Sequence, residues 1–125
     1  NQPLRPAGYA FQFITAVAPS SATFEFLDRF TNVTSGQTRI YGAAGADLND
    51  DGYLDLTTVN EVSADVRVFL NRADGTGLYD PMLPRQAIGV EASPNFPADF
   101  DNDGFVDLVV GAADSDDVWG LIGDG

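Results

Sequence analysis

Short runs of alternating apolar and polar residues fill most of this chain, and glycine, proline or asparagine usually ends them. Two such runs, at residues 9–17 and 22–30, are separated by the turn-forming sequence PSS, which predicts a hairpin. Runs rich in β-branched and aromatic residues predict further strands at 53–59, 65–71 and 105–111. No window sustains the period of about 3.6 residues that an amphipathic helix requires. The pattern predicts an all-β fold with about eight to ten short strands.

The chain contains an internal repeat. The stretch ADLNDDGYLDL at residues 46–56 recurs as ADFDNDGFVDL at residues 98–108, an offset of 52 positions. The match continues without a gap to positions 71 and 123, and nine of the 26 aligned residues are identical. A repeat of about 50 residues is within the range that is typical of propeller blades and related arrays.

Size and charge narrow the possible functions. The chain has 125 residues, enough for one domain with a buried core. Its 19 acidic residues and six arginines give a formal net charge of −13, which disfavours binding to nucleic acid or anionic lipid. No apolar run approaches the roughly 18 residues of a membrane-spanning helix, so no membrane insertion is predicted. The chain starts without methionine or a leader, which predicts a mature or excised segment.

Cysteine and histidine are both absent from the sequence. Without cysteine, the chain has no disulfide, no thiolate nucleophile and no zinc site of the usual kind. Without histidine, it lacks the commonest general base and the Ser-His-Asp arrangement. The remaining carboxylates, hydroxyls and amides are hard oxygen ligands, which favour calcium or magnesium over transition metals.

Each copy of the repeat contains an acidic loop in which oxygen-bearing side chains alternate along the sequence. Counted from the first aspartate, positions 1, 3, 5 and 9 are Asp47, Asn49, Asp51 and Asp55 in the first loop, and Asp99, Asp101, Asp103 and Asp107 in the second. Alternate side chains of a tightly wound loop can converge on one centre, and a glycine at position 6 permits the bend. The carbonyl of Tyr53 or Phe105, at position 7, can add a fifth oxygen. With water or one bidentate carboxylate, these oxygens reach the six to eight ligands that Ca²⁺ prefers.

Two other interpretations compete with ion binding. Stretches rich in Asp, Asn and Gly also form ordinary turns, but two copies at a fixed offset favour two Ca²⁺ sites. The helical EF-hand requires a glutamate at position 12, where this chain has Thr58 or Val110 inside a predicted strand. The sequence therefore predicts a β-hairpin at each loop, with Asp50 and Asn102 at position 4 pointing outward.

Both loops follow the pattern D-x-[DN]-x-D-G-x-x-D-L, and a G-x-G turn follows the strands of the first copy. This arrangement resembles the FG-GAP/VCBS repeats, which build the calcium-binding β-propeller of integrin α-subunits and of many secreted bacterial proteins. Tyr41 and Gly42 occupy the place of the Phe-Gly element of that family. The second copy lacks this element and has Pro94 and Pro97 before its loop. The resemblance covers about residues 38–125.

The resemblance implies antiparallel, four-stranded blades of β-propeller type, each with one Ca²⁺ held by the loop between two strands. It divides the chain into an N-terminal β-hairpin or partial blade (1–37), a first repeat (38–89) and a truncated second repeat (90–125). This amounts to about two blades and an N-terminal β segment. The implied ligands are the eight loop side chains named above and the carbonyls of Tyr53 and Phe105.

The function implied by the resemblance is a non-catalytic, calcium-stabilised extracellular module for adhesion, structural assembly or the binding of a protein or carbohydrate. Because about two blades cannot close a ring, an alternative is a subunit that donates a strand to a copy of itself and forms an extracellular filament. A further alternative is a carbohydrate-active enzyme that uses carboxylates, with Glu25, Glu61 and Glu91 as candidates outside the loops.

Two single residues also lead to predictions. Trp119, the only tryptophan, can stack on a sugar or pack between blades, and strand alternation favours the core position. Asn32 begins the only Asn-x-Thr glycosylation sequon and lies in a predicted turn.

Overall fold

The computed structural model describes residues 23–33 and 35–125, and within them seven strands form two antiparallel sheets without any helix. The first sheet has the strand order β1-β2-β3-β4, and the second has the order β5-β6-β7. The strands are β1 (Ile40–Ala46), β2 (Asp55–Asn60), β3 (Asp65–Phe69), β4 (Gln86–Ala87), β5 (Ala92–Ala98), β6 (Asp107–Ala112) and β7 (Asp117–Leu121). The predicted all-β class is confirmed. The strand predicted at 9–17 lies outside the described residues.

Strands β2 and β6 begin at the ninth residue of each acidic loop, two residues later than predicted. In the first copy, Tyr53 and Leu54 still belong to the loop, and the carbonyl of Leu54 accepts side-chain hydrogen bonds rather than joining the sheet ladder. An apolar run therefore predicts that a strand forms, but it does not show at which residue the loop ends and the strand begins.

The two sheets pack face to face. Val59 on β2 and its cross-strand partner Val66 on β3 lie on the face of the first sheet that packs against the second. The shared apolar core consists of Val59, Val66, Ile88, Ala92, Leu108 and Val110. One polar contact crosses between the sheets, because Asn95 donates its side-chain N–H to the hydroxyl of Thr57 at 2.7 Å.

The opposite face of the first sheet contacts the segment of residues 23–33. Asn32 is 7% exposed, accepts a hydrogen bond from Thr58 at 2.7 Å and donates one to Asn60. The Phe30 ring lies 4.8 Å from the Phe69 ring, measured between centroids. The strand predicted at 22–30 is wrong for residues 23–30, which form no strand. The apolar side of the predicted alternation is not buried against any described element, since Phe24 and Phe26 are 98% and 82% exposed.

The same face of the first sheet buries an ion pair. The carboxylate of Asp65 accepts two hydrogen bonds from Arg67, at 2.9 and 3.0 Å, and one from Asn60 at 2.8 Å. Arg85 approaches the same carboxylate at 3.5 Å from the surface. Burial raises the pKa of Asp65, but the hydrogen bonds and charge of Arg67 outweigh it and hold this pKa below its usual range. The ion pair stabilises the fold only while both partners remain charged.

The sheets are in close contact where Gly42 on β1 meets Pro94 on β5. A Cβ atom on Gly42 would lie 2.7 Å from the Cβ of Pro94, so only glycine fits there. Pro94 and Pro97 are compatible with β5 because it is an edge strand and has a register irregularity between Ala92 and Asn95. The two prolines that replace the Phe-Gly element therefore leave the strand intact.

Replacing Gly42 with alanine is expected to destabilise the protein by about 1–3 kcal/mol, because the added methyl group overlaps Pro94. Gly45→Ala is the matched control on the same strand, since its nearest contact would be the Asp55 carbonyl at an ordinary 3.6 Å. Urea unfolding of both variants measures the difference. Equal midpoints would show that the Gly42–Pro94 contact does not constrain the packing of the sheets.

Replacing Asp65 with asparagine is expected to cost about 3 kcal/mol at neutral pH, because it leaves the buried Arg67 without its carboxylate. Since the folded pKa of Asp65 is lowered, its contribution is present above the unfolded pKa of about 3.9 and disappears as the pH falls through the folded value. The difference in unfolding free energy between the wild type and Asp65→Asn should therefore become smaller at acidic pH. Asp117→Asn is the control, because Asp117 is the exposed equivalent in the second repeat. Urea unfolding at neutral and at acidic pH tests this expectation. Equal losses of stability in Asp65→Asn and Asp117→Asn would contradict it.

Candidate metal centre

Each acidic loop connects the first two strands of its sheet. The first loop joins β1 to β2 and closes at the Ala46–Asp55 pair, and the second joins β5 to β6 and closes at the Ala98–Asp107 pair. The predicted hairpin location of both loops is confirmed. The twelfth position lies inside β2 or β6, which is incompatible with an EF-hand.

The backbone turns sharply at positions 4 and 6 of both loops. Asp50 and Asn102 have φ angles of 57° and 63°, and the glycines at position 6, Gly52 and Gly104, have φ angles of 84° and 102°. Asparagine, aspartate and glycine adopt this left-handed conformation at the lowest cost. Asp50 and Asn102 are exposed, as predicted. In the second loop, the side chains that converge are those at positions 1, 3 and 9.

Hydrogen bonds within the first loop hold its acidic side chains in place. The carboxylate of Asp47 accepts the backbone N–H of Asp51 at 3.1 Å and that of Gly52 at 2.9 Å. Asp51 in turn accepts the N–H of Tyr53 at 2.9 Å and a side-chain N–H of Asn49 at 3.0 Å. Backbone donors therefore offset part of the negative charge inside the loop.

The second loop repeats this arrangement almost bond for bond. Asp99 accepts the backbone N–H of Asp103 at 3.2 Å and that of Gly104 at 3.1 Å. Asp101 accepts a further bond from Asp103 at 3.1 Å, and Asp103 accepts the N–H of Phe105 at 2.9 Å. Because the two sequences differ at positions 2, 3, 4, 7 and 8, the shared geometry follows from the aspartates at positions 1, 5 and 9 and the glycine at position 6.

The aspartate at position 9 is buried in both loops and links three parts of the chain. Asp55 accepts the N–H of Leu48 at 2.9 Å and that of Asn71 at 2.7 Å. Asp107 accepts the N–H of Phe100 at 2.7 Å and that of Gly123 at 2.9 Å. Each carboxylate thereby joins the start of its loop to the segment that follows the third strand of the sheet.

Three carboxylates of the second loop converge. Ligand oxygens of Asp99, Asp101 and Asp107 lie within 4.8 Å of one another. Two oxygens that bind one Ca²⁺ at 2.3–2.6 Å can be at most about 5.2 Å apart, so this donor set fits a calcium ion. In the first loop, Asn49 supplies an amide oxygen at the third position, so its set has one carboxylate fewer.

Electrostatics distinguish two of these carboxylates. Desolvation and the negative charges of the other three loop aspartates raise the pKa of Asp101, against one backbone hydrogen bond from Asp103. The backbone N–H of Gly123 and further backbone donors lower the pKa of Asp107 despite its burial. The surroundings of Asp107 thus favour its charged form, whereas those of Asp101 disfavour it.

The structure brings only some of the predicted ligands together. Asp103 lies outside the converging set, and its carboxylate accepts a bond from Phe105 instead. The backbone N–H groups of Tyr53 and Phe105 are engaged, and a role for their carbonyls as ligands stays a prediction. Sequence reasoning missed Asn71, whose N–H binds Asp55, because this residue is 16 positions away from that carboxylate.

The other predicted residues lie away from the loops. Glycosylation of Asn32 stays a prediction, although its side-chain nitrogen donates to Asn60 in the folded chain and a glycan would replace that bond. Trp119 was expected in the core and is instead 37% exposed, because β7 is the outermost strand of its sheet in the described part of the chain. Of the candidate catalytic carboxylates, Glu61 forms an ion pair with Arg39 at 3.1 Å, and Glu25 and Glu91 are exposed.

Comparison with known proteins identifies the repeat. A model of the FG-GAP-like repeat family matches residues 47–110, which are 64 of the 125 residues and include both acidic loops. Comparison with curated proteins and with solved structures gave no match. None of the described residues belongs to a helix with the length and hydrophobicity of a membrane span. Because the family model matches more than half of its residues, the chain belongs to the FG-GAP-like repeat family.

Proposed function

We propose that this chain is a calcium-stabilised binding module whose two acidic loops each hold one Ca²⁺. The observation that carries the proposal is the convergence of Asp99, Asp101 and Asp107 to within 4.8 Å. The first loop supports it because its hydrogen bonds match those of the second, with Asp47, Asn49 and Asp55 in the equivalent places. Repeats of this family often bind calcium, which agrees with both loops.

Calcium is favoured over magnesium by the flexibility of its coordination. Mg²⁺ requires a nearly ideal octahedron at about 2.0–2.1 Å and keeps several waters, whereas Ca²⁺ accepts six to eight oxygens in an irregular arrangement. The loops offer side-chain carboxylates, an amide and main-chain carbonyls at uneven spacing, and the chain has no histidine or cysteine to attract a softer metal.

The module binds other molecules rather than catalysing a reaction. FG-GAP-like repeats are generally non-catalytic structural or protein-interaction units, and the described carboxylates outside the loops form no second converging set of three. We propose an adhesive or structural role with a protein or carbohydrate as ligand. Each sheet then corresponds to one blade of a β-propeller, the first complete with four strands and the second with three.

An extracellular location follows from the same proposal. Members of the family are typically found in extracellular proteins. Loops that rely on bound Ca²⁺ suit surroundings where the free calcium concentration is in the millimolar range, as for other extracellular calcium modules. The formal charge of −13 also becomes less unfavourable there, since two bound ions would change it to −13 + 4 = −9.

Removal of calcium is expected to lower the melting temperature. A ligand that binds only the folded state at a hundredfold excess over its Kd stabilises by about 2.7 kcal/mol per site. Asp47→Ala and Asp99→Ala, at position 1 of each loop, should each reproduce part of this loss, and the deficit of each variant relative to wild type should shrink in chelator. Asp50→Asn is the control, because position 4 is exposed and asparagine also adopts its backbone conformation. Differential scanning calorimetry with and without chelator measures the effect, and superimposable curves for the wild type would refute the proposal.

A second candidate is assembly by strand donation, which one feature of the second sheet favours. Strand β3 pairs with β2 and β4, whereas β7 pairs only with β6 among the described residues. An unpaired edge can accept a strand from another copy of the chain. Filaments or discrete oligomers in millimolar calcium, lost on deletion of residues 1–36, are the expected result by electron microscopy and light scattering. A folded monomer at high protein concentration would exclude this assembly.

A further inference from the structure

The first acidic loop is supported by two side chains from outside the loop. The main-chain carbonyl of Leu54 accepts two side-chain hydrogen bonds, from Asn71 at 3.3 Å and from the hydroxyl of Tyr79 at 3.3 Å. Asn71 and Tyr79 are themselves joined by an isolated antiparallel bridge. Leu54 lies between Tyr53 and Asp55, the last two predicted ligands of the loop. The side chains of Asn71 and Tyr79, which lie outside the loop, therefore fix the peptide between Leu54 and Asp55.

In the second loop, the described residues offer no side-chain donor in the place of Asn71. The repeat offset of 52 places Gly123 opposite Asn71, since 71 + 52 = 123, and glycine has no side chain to donate. A Cβ atom on Gly123 would lie 2.4 Å from the carbonyl oxygen of Val106, the residue equivalent to Leu54. In the second loop, this carbonyl packs directly against the backbone, and no side chain can be inserted there without a shift.

Tyr79 also connects the first loop to the N-terminal segment. Its ring lies 5.5 Å from the ring of Phe30, and Phe30 in turn lies 4.8 Å from Phe69 on β3. Two residues further on, Asn32 is hydrogen-bonded to the face of the same sheet. The tyrosine hydroxyl contacts the loop while its ring contacts the segment, so displacement of the segment removes one of the contacts that orient Tyr79.

We propose that Asn71 and Tyr79 are positioning residues for the first ion site, and that Tyr79 couples its affinity to the docking of residues 30–32. The proposal rests on the proposed binding of Ca²⁺ by that loop. Without these two donors, the peptide between Leu54 and Asp55, next to the buried carboxylate of the loop, can rotate, and the loop must be ordered at the moment of binding. Hydrogen bonds that orient metal ligands commonly change metal affinity more than tenfold when they are removed. Because linkage is reciprocal, an ion in the first loop also strengthens the docking of the segment.

The two loops provide an internal control for the test. Tb³⁺ can replace Ca²⁺ at oxygen-rich sites, and its emission after excitation of tyrosine reports the first loop through Tyr53, whereas the second loop has Phe105. Tyr53→Phe confirms the assignment, because the ring is lost and the main-chain carbonyl stays. Calorimetric titration with Ca²⁺ then reports both sites together. Affinities come from titration midpoints, so changes in emission intensity do not affect them.

Tyr79→Phe and Asn71→Gly are each expected to weaken the first site by about tenfold and to leave the second unchanged. Asn71→Gly gives the first loop the residue found in the second. Phe30→Leu removes the ring contact without touching the loop and should weaken the same site by a smaller factor. Tyr41→Phe is the control, since it also removes a tyrosine hydroxyl, but from an exposed position on β1.

The outcomes separate this inference from the proposed function. If neither loop of the wild type binds Ca²⁺ or Tb³⁺, the proposed function fails. If both loops bind and all three substitutions leave the first site unchanged, the positioning role is wrong while the calcium sites stand. If Tyr79→Phe and Asn71→Gly weaken the first site but Phe30→Leu does not, the coupling to the N-terminal segment is wrong. Circular dichroism without metal shows whether each variant is folded before it is titrated.

Discussion

The buried carboxylate at the ninth loop position is the constraint on which each repeat depends. A charged group removed from water must have its hydrogen bonds satisfied within the protein. Asp55 and Asp107 meet this requirement with backbone N–H groups from the start of the loop and from the segment after the third strand. The loop, the strand and the returning chain must therefore converge at one point, which fixes the end of the hairpin and the curvature of the loop together.

The two repeats show how one backbone arrangement accommodates different surroundings. Asp65 and Asp117 occupy equivalent positions, and each accepts a hydrogen bond from the side chain two residues later, Arg67 or Trp119. In the first repeat, the N-terminal segment and the second sheet cover both faces, and the pair is buried with its charges compensated. In the second repeat, the pair is exposed at the edge of the sheet and the donor is a neutral indole. Burial in the first repeat thus coincides with a full counter-charge.

Sequence reasoning predicted the parts of the fold that local chemistry determines. The all-β class and the hairpin position of both loops follow from turn residues and strand patterns that are local in the sequence, and the repeat follows from the match between residues 46–71 and 98–123. The contacts of residues 23–33 could not be predicted, because an alternating pattern does not show whether a segment pairs at a sheet edge or lies on a sheet face. Asn71 and Tyr79 were missed for a related reason, since their partner Leu54 lies 17 and 25 positions away.

The contact between the two sheets places the acidic loops at the same edge of the stack. Gly42 lies against Pro94, which is its own equivalent 52 positions later, so the two repeats stack without a shift along the strands at this point. Within the second loop, the negative charges that act on Asp101 come from Asp99, Asp103 and Asp107. Backbone N–H groups of the same loop offset part of this repulsion. A cation proposed for the loop would offset the remainder, so the loop sequence itself, rather than the neighbouring repeat, carries both the repulsion and its compensation.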